Sequence, residues 1–252
     1  MKIDLNSDVG ESFGRYTLGR DADLMPYITS ANVACGLHAS DPLVMEHTVR
    51  LAREHGVGIG AHPGYPDLQG FGRRAMQLAP EEIEAFVLYQ VGALAAFADL
   101  THVKPHGALY NQAAQDPYLA QAIARAVARF NPRLILVGLA NSFLIQAGLE
   151  AGLPVAREAF VDRAYESDGS LRSRKLPGAV LHDPAQAAAQ AVRIAQEGTV
   201  VAHSGETLAV QAQTLCLHGD TPTALDIAQA VRQALGDAGV QVTPLTSLKD
   251  HA

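Results

Sequence analysis

The ionisable residues of this sequence collect just after its apolar segments. The stretch THVKPHGALYN (101–111) leads from a potential buried strand directly into Lys104, His106, Tyr110 and Asn111. A lysine at the edge of an apolar core must find a carboxylate or an anionic ligand, or lose its proton. An ammonium group can stabilise the oxyanion that forms when a carbonyl is attacked, and an imidazole can take a proton from water. The stretch therefore predicts one wall of a catalytic site.

Five other segments place acidic, basic and imidazole side chains where a strand should end. They read NSDVGES (6–12), NVACGLHASDP (32–42), AHPGYPDLQGFGRR (61–74), EAFVDRAY (158–165) and LHGDTP (217–222). One histidine in such a position is more often a packing residue than a catalyst. Four of the ten histidines follow directly on a potential strand in these segments, namely His38, His62, His106 and His218, and four at strand ends predict a shared site.

Each charged residue of these segments also has an ordinary structural interpretation. The acidic residues could cap helices or close turns, and they are Asp8, Glu11, Asp41, Asp67, Asp162 and Asp220. This interpretation is strongest for Asp41, because SDPLV is a good helix start, and weaker for Asp8 at the end of the first strand. Arg73 and Arg74 suit a carboxylate or a phosphate, or are simple surface charge.

Two chemistries suit this set of residues. In the first, the candidate ligands Asp8, His38, His62 and His106 bind a divalent metal that activates water, although no H-x-x-x-H or H-E-x-x-H spacing fixes two ligands on one helix. In the second, Asp8 or His106 is the general base and Lys104 stabilises the oxyanion. Either would hydrolyse an amide or ester bond. A serine acyl-enzyme is not expected, because no G-x-S-x-G motif is present.

Short aliphatic segments alternate with longer segments rich in Ala, Leu and Glu. The predicted strands are Ile3 to Asn6, Ser30 to Ala34, Val57 to Ala61, His102 to Lys104, Leu134 to Leu139, Val155 to Glu158 and Thr214 to Leu217. The predicted helices are Leu43 to His55, Pro80 to Ala98, Pro117 to Phe130, Ser142 to Ala151, Pro184 to Glu197 and Thr223 to Ala238. The segment TVVAHSGETLAV predicts a β-hairpin that turns at Ser204-Gly205.

This alternation predicts an α/β fold, a TIM-barrel-like (β/α) barrel of about seven parallel strands in a single domain, residues 1–252. A doubly wound sheet fits less well, because GVGIGAHPG does not match G-x-G-x-x-G and no G-x-x-x-x-G-K-[ST] occurs. The loops at the carboxyl ends of barrel strands surround one mouth. The six polar segments are therefore expected to meet there.

The composition excludes several classes of function. Of the 252 residues 48% are hydrophobic and 18% charged, and the net charge is -7 without a basic run. A nucleic acid or an anionic membrane is therefore not an expected partner, no membrane span is predicted, and the absence of a signal peptide favours the cytoplasm. Cys35 and Cys216 are expected to be buried free thiols. His102, inside a predicted strand, is given no role.

The six polar segments, with EAFVDRAY extended to EAFVDRAYESDGSL, closely resemble the family of lactam utilization proteins (LamB/YcsF family) along nearly the whole chain. The resemblance implies a β/α barrel related to polysaccharide deacetylases. It also implies the role of the A subunit of an ATP-dependent 5-oxoprolinase, which cleaves 5-oxo-L-proline to L-glutamate with hydrolysis of ATP in a complex with the B and C subunits. A small lactam is then the substrate.

Matching the motifs implies a set of site residues. They are Asn6, Asp8, Glu11, Asn32, His38, His62, Asp67, Arg73, Lys104, His106, Tyr110, Asn111, Glu158, Asp162, Arg163, His218 and Asp220. Among these we expect Asp8, Lys104 and His106 to be catalytic and the others to bind substrate. Two departures from the family pattern occur. Ser40 stands where HAGDP has glycine, which could narrow that loop, and AHSGE replaces an Asp-Gly hairpin turn, which is not expected to affect the site.

Two rival interpretations remain open at this point. A metal-dependent amide deacylase or deacetylase acting alone could use the same barrel with Asp and His ligands. A non-enzymatic binding barrel or scaffold is the other, but it gives no reason for Lys104 and four histidines at one end of the strands.

Overall fold

The computed structural model of the chain describes residues 1–219 and 222–248, and within them seven parallel strands close into a barrel. The barrel strands are β1 (Lys2–Val9), β2 (Ser30–Ala34), β3 (Gly58–His62), β4 (His102–Val103), β5 (Ile135–Leu139), β6 (Val155–Phe160) and β9 (Thr214–His218). Each strand pairs with the next one in this order, and β9 also pairs with β1. The predicted β/α barrel is confirmed.

Helices cover the outside of the barrel. They are α1 (Asp21–Leu24), α2 (Pro42–Glu54), α3 (Pro80–Ala95), α4 (Gly107–Gln115), α5 (Pro117–Phe130), α6 (Phe143–Glu150), α7 (Pro184–Glu197) and α8 (Ala224–Asp237). Asp41, Asp116 and Asp183 each accept backbone hydrogen bonds at a helix start with proline in the first turn, as N-cap chemistry requires. None of the helices within the described ranges is long and apolar enough to cross a membrane.

The predicted hairpin is formed by β7 (Thr199–Val201) and β8 (Thr207–Ala209). Its turn packs on residues 162–181, the connection from β6 to α7, which we term the mouth segment. The His203 backbone N–H donates to the Tyr165 carbonyl at 2.8 Å. The mouth segment doubles back on itself through bridges between Arg163 and Val180 and between Tyr165 and Leu171.

The inside of the barrel is polar, whereas most β/α barrels are filled by branched aliphatic side chains. Side chains alternate along a strand; in β1 the polar members Asp4 and Asn6 bond across the interior, while Ile3 and Leu5 belong to the apolar core. Further inward-facing polar side chains are Asp8, Ser30, Asn32, His62, His102, Lys104, Glu158, Thr214 and Cys216. The barrel is thus built around a polar network.

Gly60 on β3 makes room for one of these side chains. A methyl group at Gly60 would overlap the ring of His102. This approach of a ring to the backbone requires glycine.

The amino end of the barrel is closed by apolar residues. β10 (Gln241–Val242) pairs with the start of β1, and Leu245 just after it packs on Ile135, Val137 and Ala156. The polar interior therefore opens toward the carboxyl ends of the strands.

Candidate active site

A cleft of about 990 Å³ lies at the carboxyl ends of the barrel strands. Its walls come from the segments at and after the ends of β1, β3, β4, β5, β6 and β9 and from β8 of the hairpin. The predicted site residues that line it are Asp8, Glu11, His62, Arg73, Lys104, His106, Tyr110, Asn111, Arg163 and His218. The barrel therefore brings together residues that are far apart in the sequence.

Lys104 lies at the floor of the cleft and is 2% exposed. Its Nζ lies 2.9 Å from both Asp8 Oδ1 and Glu158 Oε1, and it also donates to Asn6 Oδ1 at 3.1 Å and to Cys216 Sγ at 3.0 Å. Burial works to lower the pKa of Lys104, but Asp8 and the neighbouring acidic groups outweigh it and hold that pKa well above its ordinary value. Lys104 is charged, and of the three outcomes that the sequence left open it has carboxylate partners.

Asp8 joins Lys104 to the histidines. Its Oδ1 accepts from Lys104 and from Asn32 Nδ2, and its Oδ2 lies 3.3 Å from Nε2 of His62. Burial works to raise the pKa of Asp8, but His62 and Lys104 outweigh it and hold that pKa well below its ordinary value. A carboxylate with so low a pKa is a poor general base near neutral pH. Its contacts suit a group that holds Lys104 and His62 in position.

Asn6, Asn32 and Glu158 form a layer beneath these groups. Asn32 Nδ2 donates to Asn6 Oδ1 at 2.7 Å, and Asn6 Nδ2 donates to Glu158 Oε1 at 2.9 Å. The Tyr110 hydroxyl donates to the other oxygen of Glu158 at 2.6 Å. All three are buried, so in this structure they fix the floor rather than line the cleft.

Three histidines form a second cluster on the floor. His38 stacks on His106 with ring centroids 3.9 Å apart, and His62 meets His106 edge-on at 4.9 Å. His62 Nδ1 donates to the Lys104 carbonyl at 2.7 Å, and His106 Nε2 donates to the Phe71 carbonyl at 2.9 Å. Because a carbonyl can only accept, each ring turns its other nitrogen, His62 Nε2 or His106 Nδ1, toward the other ring at 2.9 Å, and these nitrogens face each other as lone pairs unless a proton or a cation is bound there.

This histidine cluster fits a divalent metal. Burial lowers the pKa of both His38 and His106 well below the ordinary value, and facing lone pairs repel unless a cation lies beside them. Among the described residues, neither ring nitrogen of His38 has a hydrogen-bond partner. One ligand atom from each histidine and from Glu11 lie within 4.8 Å of one another, and imidazoles with a carboxylate are a donor set of Zn²⁺ and similar ions. The predicted ligand set had Asp8 in the place of Glu11.

The loop after β3 is shaped to receive the histidines. Phe71 and Gly72 both have left-handed backbones, with φ of 54° and 60°, which is unusual for a bulky residue. The Phe71 carbonyl thereby meets His106. A methyl group at Gly72 would lie 2.8 Å from His38 Cβ and 2.9 Å from the ring of His106, so the strained turn is linked to the cluster.

His218, at the end of β9, is oriented by Asp162. Its Nδ1 lies 2.9 Å from both carboxylate oxygens, and its backbone N–H donates to the same group at 3.0 Å. Burial works to raise the pKa of Asp162, but His218 outweighs it and lowers that pKa. Because Nδ1–H is held by the carboxylate, Nε2 is left to exchange a proton.

Asp67 and the two arginines after it have separate surroundings. Asp67 is 4% exposed, forms an ion pair with Arg74 and accepts from the Gly70 N–H at 3.0 Å. These contacts shape the loop, and Asp67 is not among the residues that line the cleft. Arg73 does line it, with its guanidinium 4.8 Å from the centre of the Phe71 ring.

The last predicted residues lie at the edge of the cleft or beyond the described chain. Asn111 Nδ2 donates to the Gly107 carbonyl within α4, and Asp220 lies outside the described residues. Ser40 is buried with a φ of 73°, so serine occupies a backbone conformation that suits the glycine of the family pattern. The hairpin turn contacts the mouth segment, and β8 itself lines the cleft.

Two residues of the network were missed at the sequence level. Cys216 is a buried free thiol, as predicted, but it also contacts Lys104. His102 was given no role, yet its Nε2 donates to Asn32 Oδ1 at 2.8 Å, while burial and Lys104 lower its pKa to about 3. Their alternation with apolar residues in HVK and LCLH is the signal that could have placed both inside the barrel.

The fold and the site together define a β/α-barrel enzyme, with ammonium, carboxylate and imidazole groups meeting at the carboxyl ends of its strands. The chain belongs to the LamB/YcsF family, whose model matches residues 3–250.

Known proteins support the same assignment. A relative in Symbiobacterium thermophilum, named as the A subunit of 5-oxoprolinase, is 58% identical over 246 residues, which are 96% of this chain and 94% of that protein. The crystal structure of the lactam utilization protein from Thermus thermophilus is 50% identical, covers 97% of this chain and 100% of that one, and has a TM-score of 0.92. A T48 deacetylase solved with its substrate is 14% identical, covers 97% of this chain and 88% of that one, and has a TM-score of 0.51. At this identity the comparison shows a common fold alone, and it agrees with the deacetylase-like barrel that the family resemblance implies.

Proposed function

We propose that the chain is the A subunit of a 5-oxoprolinase and opens the lactam ring of 5-oxo-L-proline to give L-glutamate. The observation that carries the proposal is the convergence of Lys104, Asp8 and the histidine cluster on the floor of one cleft. The names of relatives that match over nearly their full length supply the substrate. The lactam C–N bond breaks, water adds its hydroxyl to the carbonyl carbon, and the ring nitrogen gains a proton.

The residues divide these tasks between them. His62 Nε2 and His106 Nδ1 lie 2.9 Å apart, so a proton taken from the attacking water would be shared by both rings, which offsets the lowered pKa of His106 alone. Lys104 keeps a positive charge beneath the reacting carbonyl, although its N–H groups are already engaged. His218, oriented by Asp162, is placed to give a proton to the leaving nitrogen.

A divalent metal would be held by Glu11, His38, His62 and His106. When bound, it would polarise the carbonyl or lower the pKa of a bound water. Metal content per chain, measured on the purified wild type and on His38→Ala, tests this set, and an equal content in both proteins would count against it.

ATP enters the proposal through the partner B and C subunits. An unstrained five-membered lactam is a stable amide, so coupling to ATP supplies driving force, yet the sequence has no phosphate-binding loop. We infer that the partners activate the lactam, for example by transferring the terminal phosphoryl group of ATP to its amide oxygen with release of ADP, and that this barrel supplies the water. Attack by this water and cleavage of the C–N bond would leave an acyl phosphate of glutamate, from which a second water releases inorganic phosphate. Tight binding of ATP by this chain alone in calorimetry, and none by the partners, would contradict that division.

The deciding experiment measures glutamate release from 5-oxo-L-proline with ATP. The chain is assayed alone and then with the B and C subunits. Release in the complete mixture and not from the chain alone is the expected result. No release from a demonstrably assembled complex would reject the proposal.

A metal-dependent amide deacylase that acts alone is the second candidate, and the Glu11–histidine cluster is the observation that favours it. It predicts hydrolysis of small amides by the chain without ATP or partners, and loss of that activity with a chelator. The same purified protein distinguishes the two candidates.

A further inference from the structure

The cleft collects positive charge. At least six of the chain's 19 lysines and arginines line it, namely Arg73, Lys104, Arg163, Arg172, Arg174 and Lys175. The whole chain has a net charge of -7, so this concentration does not reflect a generally basic composition. Most of these residues belong to the mouth segment.

Some of these charges are matched by carboxylates, whereas Arg163 has no ion-pair partner within the described part of the chain. Lys104 contacts Asp8 and Glu158, and Arg172 contacts Glu166 at 2.7 Å. In residues 1–219 and 222–248, the hydrogen bonds of Arg163 go to backbone carbonyls, and no carboxylate lies at ion-pair distance.

Arg163 is nevertheless buried, with 5% of its surface exposed. Burial, followed by the nearby charge of Arg174, lowers the pKa of Arg163 to about 10, because the opposite charge of Asp162 offsets these effects only in part. A buried charge is costly unless an opposite charge accompanies it. An anion in the cleft would supply that charge.

Arg73 extends this positive region toward the floor. It lines the cleft, and its charge acts on Arg163 as well as on His38 and His106. An anion held between Arg73 and Arg163 would therefore lie beside the groups proposed to open the ring.

The size of the cleft leaves space for such an anion. Clefts of roughly 300–1,000 Å³ take drug-sized ligands, and this one, at about 990 Å³, is at the upper end. A single five-membered lactam ring is much smaller, so the cleft can hold a further group.

We propose that Arg163, Arg174 and Arg73 form an oxyanion subsite that binds a phosphoryl or carboxylate group carried by the substrate. Arginine presents a planar fork of N–H donors that matches both groups. The proposal deepens the proposed function and rests on it for the identity of the substrate. Binding of the oxyanion itself does not require ring opening.

The test is calorimetric titration of the full chain at low ionic strength, where charge interactions are least screened. Inorganic phosphate is one probe and 5-oxo-L-proline, a carboxylate, is the other. The variants are Arg163→Gln and Arg174→Gln; the second is needed because Arg163 also ties the mouth segment together. Arg133→Gln, an exposed site just before β5 at the opposite end of the barrel, is the control with the same change of charge.

Both cleft variants should bind a probe about tenfold or more weakly than wild type, because each loses a charge-assisted hydrogen bond, while the control binds normally. If the variants weaken the binding of phosphate, the subsite is assigned to a phosphoryl group. If they weaken the binding of 5-oxo-L-proline and not of phosphate, the subsite is assigned to the carboxylate. Unchanged affinity in both variants, or no binding of either probe by wild type, would overturn the subsite. Glutamate release is a separate readout, so its failure would leave a positive titration standing.

Discussion

Two neighbouring regions of the cleft floor differ in whether the folded chain itself supplies a positive charge to their acceptor atoms. Around Lys104, every acceptor faces an ammonium that the chain supplies itself. In the histidine cluster, two lone pairs face each other and His38 has no hydrogen-bond partner among the described residues. The first region is complete as folded, whereas the second requires a proton or a metal ion.

This difference separates structural from chemical roles. A filled network positions groups and resists change, because removing one member leaves buried partners unsatisfied. An incomplete cluster can accept a cation or a proton during a reaction. Asp8 touches both regions, and His62 donates to the Lys104 carbonyl, so the two regions are mechanically connected.

The largest effect is expected from Lys104→Met. The substitution leaves Asp8 and Glu158 as buried carboxylates without their cation, which typically costs about 3–5 kcal/mol of unfolding free energy. Turnover in the complete complex should fall by about 100-fold or more. Urea unfolding and glutamate release measure the two losses. His55→Ala, at an exposed position on the outer surface, should change neither, and a Lys104→Met protein with normal stability would contradict the filled-network interpretation.

His106→Ala should separate activity from stability. Turnover is expected to fall by about 100-fold, the usual effect of losing a general base, because only His62 of the facing imidazole pair then remains. The loss of unfolding free energy should be smaller than for Lys104→Met, since the cluster is not a closed network. If His106→Ala and Lys104→Met lost the same turnover and the same unfolding free energy, the two regions would not differ in role.

Asp4 lies in the barrel interior below the Lys104 network, and its pKa is shifted in the opposite direction from that of Asp8. Burial raises its pKa from 3.8 to about 6, so its contribution to stability is full below about pH 4 and is lost as the pH rises through about 6. The loss amounts to about 3 kcal/mol. Urea unfolding of wild type and Asp4→Asn across this range should show wild type falling relative to the variant. Parallel stability curves would show that Asp4 does not titrate abnormally.

The smallest effect concerns Ser40, in the loop that carries His38. Relief of its left-handed backbone in Ser40→Gly is worth about 1–2 kcal/mol, offset by about 0.5–1 kcal/mol of added chain entropy in the unfolded state. A net gain of about 0.5–1 kcal/mol is expected in urea unfolding. Asn141→Gly, at a φ of 64°, should gain less, because asparagine tolerates this region. A loss in Ser40→Gly would show that its hydroxyl matters more than its backbone.

The fold and the rim of the site were predictable because they depend on local patterns. The limits of β2, α5 and α7 agree with the prediction, since apolar periodicity and N-cap prolines mark them. The helix α4 was missed because its polar residues follow directly on the strand and were assigned to a loop. The sequence analysis placed Glu11 with the substrate and not among the candidate metal ligands, because sequence spacing does not reveal that its carboxylate lies close to three imidazoles.

The interior network could be predicted only in part. Lys104 can be found because it stands at the end of a predicted strand. His102 and Cys216 lie inside strands, where a neutral histidine and a thiol resemble ordinary core residues. The pairing of Asn6 with Glu158 joins residues 152 positions apart, and it depends on how the barrel closes. The charge of the mouth segment was likewise visible in LRSRK, but its orientation into the cleft was not.

The position of β8 in the wall of the cleft also makes the protein suitable for fluorescence. The chain contains no tryptophan, and Leu208 lines the cleft while remaining partly exposed. A tryptophan introduced there would be the sole indole of the chain, so its emission would report directly on the polarity of the cleft. Changes in that emission would follow ligand entry and the approach of partner proteins in real time.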